Sequence, residues 1–304
     1  MPYHSVVCVK QVPDTTNITC EAMKADGTVN RAALPTIFNP DDLHALEAAL
    51  SIKETYGGKV TALTMGPLGA ADVLRECLYR GADRAILIND RRAAGSDTLA
   101  TSYILSMAIR RIGDFDFVFC GRQAIDGDTA QVGPQIAQKL GIAQITYFEK
   151  LVELNARTLR ARRNVGNGWE VLEARLPLLL TILDAANEPR PAAARRMMRF
   201  KHAQTMAEVS RSVSAAMPQA NKEQLDVEQA NRLELLKNRG LLIKQWDLDE
   251  IGADMAWCGV AGSPTKVHRV QSIVLRKEGF KRIEPTEDGV RTLIQELIVD
   301  HALG

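Results

Sequence analysis

Apolar runs suited to buried strands alternate with amphipathic stretches at least four times in the first 140 residues of this chain. The strand candidates are Ser5 to Val9, Lys59 to Met65, Arg84 to Ile88 and Phe115 to Cys120. The first helix candidate starts at Asn39-Pro40-Asp41-Asp42 and turns Leu43, Leu46 and Leu50 inward. The next carries Val73, Leu74, Cys77 and Leu78, and a third, after Gly95-Ser96-Asp97-Thr98, carries Ala100, Ile104, Met107 and Ala108. The fourth places Val132, Ile136 and Leu140 on one face, at i, i+4 and i+8. Such alternation means βαβ units and a mostly parallel sheet. The expected class is α/β: a mostly parallel Rossmann-like sheet flanked by helices, with added antiparallel strands and an extended C-terminal arm.

Beyond Leu140 the pattern changes. Gln144 to Glu153, Thr158 to Arg163 and Trp169 to Arg175 read as strands, the last two joined by the hairpin turn Asn164-Val165-Gly166-Asn167-Gly168. Leu176 to Leu183 is another apolar strand, with Pro177 tolerated at its start. Residues 1–186 are thus expected to form one α/β domain, a nucleotide-binding one if its loops hold a phosphate. Residues 187–202 open on the stiff turn Asn187-Glu188-Pro189-Arg190-Pro191 and continue into a basic cluster, Arg195, Arg196, Arg199 and Lys201. That cluster reads as a solvated segment rather than a charged ligand site. Residues 203–304 are expected as an arm with too little apolar surface for its own core, so it must lie on something else. Its last helix has an apolar stripe, Val290, Leu293, Ile294, Leu297 and Ile298, for its own domain or a partner.

Composition excludes several functions. A net charge of +1 gives no reason to expect nucleic acid or an acidic membrane surface. The five cysteines (Cys8, Cys20, Cys77, Cys120, Cys258) form no C-x-x-C pair, and Cys8 and Cys120 lie in apolar runs, so buried thiols are expected and no metal site. His4, His44, His202, His268 and His301 are scattered without ligand spacing, and no nucleophile–base set stands out. With no signal peptide or long apolar span, the protein is expected to be soluble and cytoplasmic, without membrane insertion.

The stretch Val118 to Pro134 delivers a strand through Gly121 and Gly127 to a helix start. Asp128 and Thr129 are N-cap candidates, and Pro134 fits only near a helix start. First-turn amides have no intrahelical partner and the dipole is positive there, so a phosphate suits the loop. Gly127 is expected at positive φ, turning amides toward that phosphate. On these grounds the loop is either an anion site or a capped βα turn with no ligand. Loops Cys8 to Thr16, Met65 to Leu68, Asp90 to Thr98 and Gly121 to Gly133 all follow strand carboxyl ends and should converge on one site. No G-x-G-x-x-G follows the first strand, so this is not the usual dinucleotide fingerprint.

Gly121-Arg122-Gln123-Ala124-Ile125-Asp126-Gly127-Asp128-Thr129-Ala130-Gln131-Val132-Gly133-Pro134 resembles the signature loop of electron-transfer flavoprotein beta subunits. Val9 to Asp14, Asn39 to Asp42, Met65-Gly66-Pro67, Arg80 to Asp83, Asn187 to Arg190 and Gly262-Ser263-Pro264-Thr265 resemble that family in the same order. The resemblance implies a heterodimer with an alpha subunit that carries FAD. In conventional members the beta subunit holds AMP; in the electron-bifurcating branch it holds a second FAD that takes a hydride from NADH. Asp126 to Pro134, where conventional members run Asp-Asp-Asp-Cys-Asn-Gln-Thr-Gly, is similar to the bifurcating branch.

Carried over by position, the nucleotide site is Cys8, Asn39, Pro40, Asp41, Asp42, Met65, Gly121, Asp126, Gly127, Asp128, Thr129, Ala130, Gln131, Val132, Gly133, Pro134, Gln135, Ile136 and Ala137. Asp97, Thr98 and Thr101, with the Pro13-Asp14-Thr15 loop, are expected to line the extra reach of a FAD, unless Asp97 and Thr98 merely cap their helix. Asn187, Glu188, Pro189 and Arg190 open the family's partner-recognition loop. Pro191 stands where the family has Tyr, and Ala194 where it has an anchoring Leu. That speaks against docking to a conventional acyl-CoA dehydrogenase and leaves Met197 or Met198 to supply the anchor for another redox partner. A non-redox nucleotide sensor is the remaining alternative.

Overall fold

The computed structural model describes residues 2–14, 35–265 and 282–299; Thr15, Thr16, Cys20, His268 and His301 lie outside them. β1 (Tyr3–Cys8) is buried along its whole length, as a central parallel strand must be. A short antiparallel pair, β2 (Gln11–Pro13) and β3 (Thr36–Phe38), stands outside the main sheet. α1 (Pro40–Tyr56), β4 (Gly58–Met65), α2 (Ala71–Arg80), β5 (Arg84–Ile88), α3 (Thr98–Ile112), β6 (Phe117–Gly121) and α4 (Val132–Leu140) then alternate as the sequence pattern requires. β7 (Ala143–Leu154), β8 (Thr158–Asn164), β9 (Trp169–Arg175) and β10 (Leu178–Ile182) follow. After them come α5 (Ala194–Phe200), α6 (Met206–Ala216), α7 (Lys222–Arg239), β11 (Lys244–Trp246) and α8 (Glu287–Val299).

All strands except β2 and β3 join one nine-stranded sheet, in the order β11-β5-β4-β1-β6-β10-β7-β8-β9. Neighbours from β11 to β7 pair in parallel, and β8 and β9 add antiparallel strands beyond β7. Strand alternation splits the core into two layers. Tyr3 and Val7 meet Leu46 and Leu50 of α1 and Leu74 and Cys77 of α2 on one face. Val6 and Cys8 meet Ile104 and Ile109 of α3 and Ile136 of α4 on the other. The chain leaves β1 toward β4 and β5, then returns through α3 to β6 on the opposite side. β1 and β6 therefore flank the switch point, where open α/β sheets leave a crevice at the strand carboxyl ends.

The stretch expected as an arm is different. β11 completes the sheet beside β5, and Trp246, Leu248, Ile251 and Cys258 are buried in the α3–α4 layer, so residues 203–265 lie on the chain's own domain. The polar helices α6 and α7 start on capping boxes, Thr205 with Glu208 and Asn221 with Gln224, and share a small core of Val209, Val213 and Leu236. Val290, Ile294 and Ile298 of α8 stand exposed. No helix among the described residues is long and apolar enough to cross a membrane.

Candidate functional site

A cavity of about 410 Å³ opens at the switch point. Its walls come from the ends of β1, β4 and β6, the loop before α3 and the first turn of α4. Of the residues expected there, Cys8, Asp42, Met65, Asp97, Thr98, Thr101, Gly121, Gly127, Thr129, Ala130, Gln131, Val132 and Gly133 line it. Asn39, Pro40, Asp41, Asp126, Asp128, Pro134, Gln135, Ile136 and Ala137 do not line it, nor do Pro13 and Asp14.

Asn39 to Asp42 brace the β6 loop from behind. The Asn39 amide donates to Gln123 O at 2.8 Å and accepts from Ile125 N at 3.2 Å. Asp41 accepts from Gln123 N at 3.3 Å. Asp42 accepts from Lys10 N at 2.8 Å and from Gly121 N at 3.1 Å, tying the ends of β1 and β6 to α1. Lys10 Nζ reaches Asp126 at 2.7 Å. Burial pushes the Asp42 carboxyl up to about 7, against the pull of Asn39 and the two backbone donors.

Two expectations about the loop fail. Asp128 and Thr129 do not cap α4: the helix begins at Val132 after Gln131, with no side-chain cap. Gly127 is not at positive φ; Asp128 (φ 48°) and Ala130 (φ 53°) are. The turn thus needs its left-handed residues one and three positions later, and Asp128 is occupied by accepting from Gln123 Nε2 at 2.9 Å. Left-handed Ala130 costs roughly 1 kcal/mol of backbone strain, held beside the cavity. Gly133 has a different reason. A Cβ there would fall 2.8 Å from Thr181 Cγ2, so only glycine lets α4 start this close to β10.

The opposite wall is the loop before α3. Asp97 does cap α3, accepting from Leu99 N at 2.9 Å and Ala100 N at 3.0 Å. Thr98 and Thr101 nevertheless face the cavity, and Thr98 Oγ1 donates to Gln131 Oε1 at 2.9 Å, joining the two walls. Cys8 and Cys120, on neighbouring strands, also line the cavity; the Cys8 thiol and burial together hold Cys120 well above the usual thiol range, so Cys120 stays a neutral thiol. No group of three metal-ligating side chains is assembled among the described residues.

Lys10, Ser96, Leu105, Cys120, Arg122 and Gln123 also line the cavity. Strand-end position marks Lys10, Arg122 and Gln123 as candidates, but nothing in the sequence singles out Leu105 from within α3. Elsewhere, Asn187 and His44 bond each other's backbone, and Arg190 pairs with Glu47 at 2.7 Å and with Glu54, fastening the turn to α1. Glu188 and Ala194 are exposed, and on α5 so are Met197 (41%) and Met198 (63%).

The electron transfer flavoprotein domain matches residues 26–213. The chain belongs to the electron transfer flavoprotein family. It is 40% identical to the protein FixA of Bradyrhizobium diazoefficiens, over 98% of this chain and 92% of that protein. It is 39% identical to the electron transfer flavoprotein subunit beta of Clostridium acetobutylicum, over 97% and 98%. The corresponding subunit of Thermoanaerobacterium thermosaccharolyticum is 38% identical over 98% and 99%. For an electron transfer flavoprotein, a cavity at a sheet switch point beside an uncapped helix start is a fitting place for a nucleotide phosphate.

Proposed function

We propose that the chain is the beta subunit of a heterodimeric electron-transfer flavoprotein and holds FAD in the switch-point cavity. What carries the reading is the start of α4, where no side chain caps the helix and Val132 and Gly133 line the cavity. A phosphate there would meet first-turn N–H groups, those of Val132 and Gly133, that no side chain among the described residues caps. Bound FAD supplies acceptance of a hydride from NADH and onward transfer of single electrons. The chain's part is to bind and orient: Asn39 to Asp42 brace the loop, and Thr98 and Thr101 offer hydroxyls on the far wall. Electrons would pass via the alpha subunit's FAD to or from a dehydrogenase or a quinone- or ferredoxin-type acceptor, with Met197 and Met198 as contacts. The volume of about 410 Å³ favours a second reading, AMP in the same place, because it lies low in the usual range for ligand sites.

The visible spectrum of the heterodimer separates the two: two FAD per dimer for the first, one FAD plus AMP for the second. Changing Thr98 and Thr101 both to Ala should lower the FAD held by this subunit and slow reduction in an anaerobic NADH titration, while the alpha-subunit flavin stays. Two flavins and unchanged reduction in that variant would remove these hydroxyls from the site. The alpha subunit is the occupant we infer for the α8 stripe. Leu293→Asp with Leu297→Asp should weaken the heterodimer by several kcal/mol, because charges would enter an apolar contact. A variant that still co-elutes with the alpha subunit at nanomolar concentration shows that the stripe is not the contact.

A further inference from the structure

A second cleft, of about 290 Å³, lies away from the nucleotide cavity between α1, the end of α2 and residues 190–196. Lys53, Arg80, Arg190 and Arg196 line it, with Glu54 as the one carboxylate. Lys53 is paired with Asp83, Arg80 with Glu76, and Arg190 with Glu47 and Glu54. Arg196 has no carboxylate in ion-pair reach among the described residues. It donates from Nε to Leu78 O at 2.7 Å and from Nη2 to Ala82 O at 2.6 Å, at the carboxyl end of α2. Burial, against the pull of Asp83 and with Arg199 adding to it, holds its pKa below the ordinary arginine value. Arg80 Nε is buried with no acceptor among the described residues.

Asp83 acts on Arg196 only from beyond ion-pair distance and is itself held by Lys53, so the half-buried Arg196 guanidinium has no carboxylate of its own and keeps room for an anion. We propose that this cleft is an oxyanion site that receives the carboxylate of an acidic segment on the redox partner. A planar carboxylate matches a guanidinium fork, which is why arginine rather than lysine suits such a site. The cleft borders the turn and α5, where Met197 and Met198 stand exposed, so a partner lying over α5 would meet apolar and basic surface together. Naming a redox partner rests on the function proposed above; the anion chemistry does not.

The test is fluorescence anisotropy of labelled hexaglutamate titrated with the intact heterodimer at low ionic strength, with inorganic phosphate as competitor. Arg196→Gln should weaken binding by about tenfold or more. Glu54→Gln should tighten it, an outcome that loss of structure cannot mimic. Arg91→Gln, at an exposed arginine on another face, should change it less than about twofold. Nucleotide content should be the same in all three, so failure here is distinct from failure of the flavin reading. Equal weakening by Arg196→Gln and Arg91→Gln, or no tightening by Glu54→Gln, would overturn the site. Saturable binding of phosphate with none of hexaglutamate would overturn the partner carboxylate and assign the cleft to a free anion.

Discussion

Gly121→Ala is expected to cost the switch-point cavity the nucleotide proposed for it and to cost the fold about 3 kcal/mol. The added Cβ would sit 2.5 Å from Asp42 Oδ1, 2.7 Å from Asp41 C and 2.8 Å from Asp41 Cβ. Two of these atoms are backbone or its first side-chain carbon, so α1 or β6 must move. Either shift breaks the Asp42 bond to Gly121 N, and with it the bracing of the β6 loop. Gly127→Ala is the comparison. Its Cβ would meet nothing within 4 Å and its φ is ordinary, so the change should cost less than about 0.5 kcal/mol. Urea unfolding and the absorbance of nucleotide released on denaturation measure both. A Gly121→Ala protein that keeps its nucleotide and its unfolding midpoint would falsify the close-packing argument.

Asp42→Asn is expected to remove a pH dependence of stability. Burial gives the folded carboxyl a pKa of about 7 against 3.8 for the free group, so the native chain holds that proton more tightly than the unfolded chain. The resulting stabilisation is complete below pH 3.8, shrinks as pH rises, and is gone above about 7. The wild type should therefore lose on the order of 3–4 kcal/mol relative to the Asn variant over that window. Near the acid end the variant should be the weaker by about 1–3 kcal/mol, because its amide keeps one acceptor and turns an N–H toward a backbone donor. Unfolding free energies from about pH 4 to 8 decide it. Parallel curves would mean that Lys10 and Gly121 outweigh burial and keep the carboxylate charged throughout.

Long apolar strands with helices between them made the parallel sheet and its switch point legible, and strand-end position located the cavity. β11 was not legible: Lys244, Gln245 and Trp246 form a three-residue strand with one buried side chain, and only its neighbour β5 makes it a strand. The α4 loop misled for a physical reason. Asp128 and Thr129 have cap chemistry, but left-handed Asp128 and Ala130 carry the chain past them before α4 begins. The same run of acids and amides at Asn39 to Asp42 reads as ligand chemistry, yet its side chains are largely spent on the neighbouring loops. The basic cluster read as solvated, and Arg196 instead lies against the carbonyls that end α2. Periodicity carries no information about a side chain that turns inward at a helix terminus.

The wall before α3 is closed by residues from far along the chain. Ser263 Oγ accepts from Asp97 N at 2.9 Å, Thr265 N donates to Asp97 at 3.0 Å, and Gly259 N donates to Ser96 Oγ at 3.1 Å. The first of these bonds spans 166 residues. At ribosomal rates of about 5–20 residues per second, its two ends are made roughly 10–30 s apart. During synthesis the sheet core from β1 to β10 can assemble while this side of the cavity waits. A ribosome stalled before Gly259 would therefore present a βαβ core whose wall before α3 still lacks these three bonds.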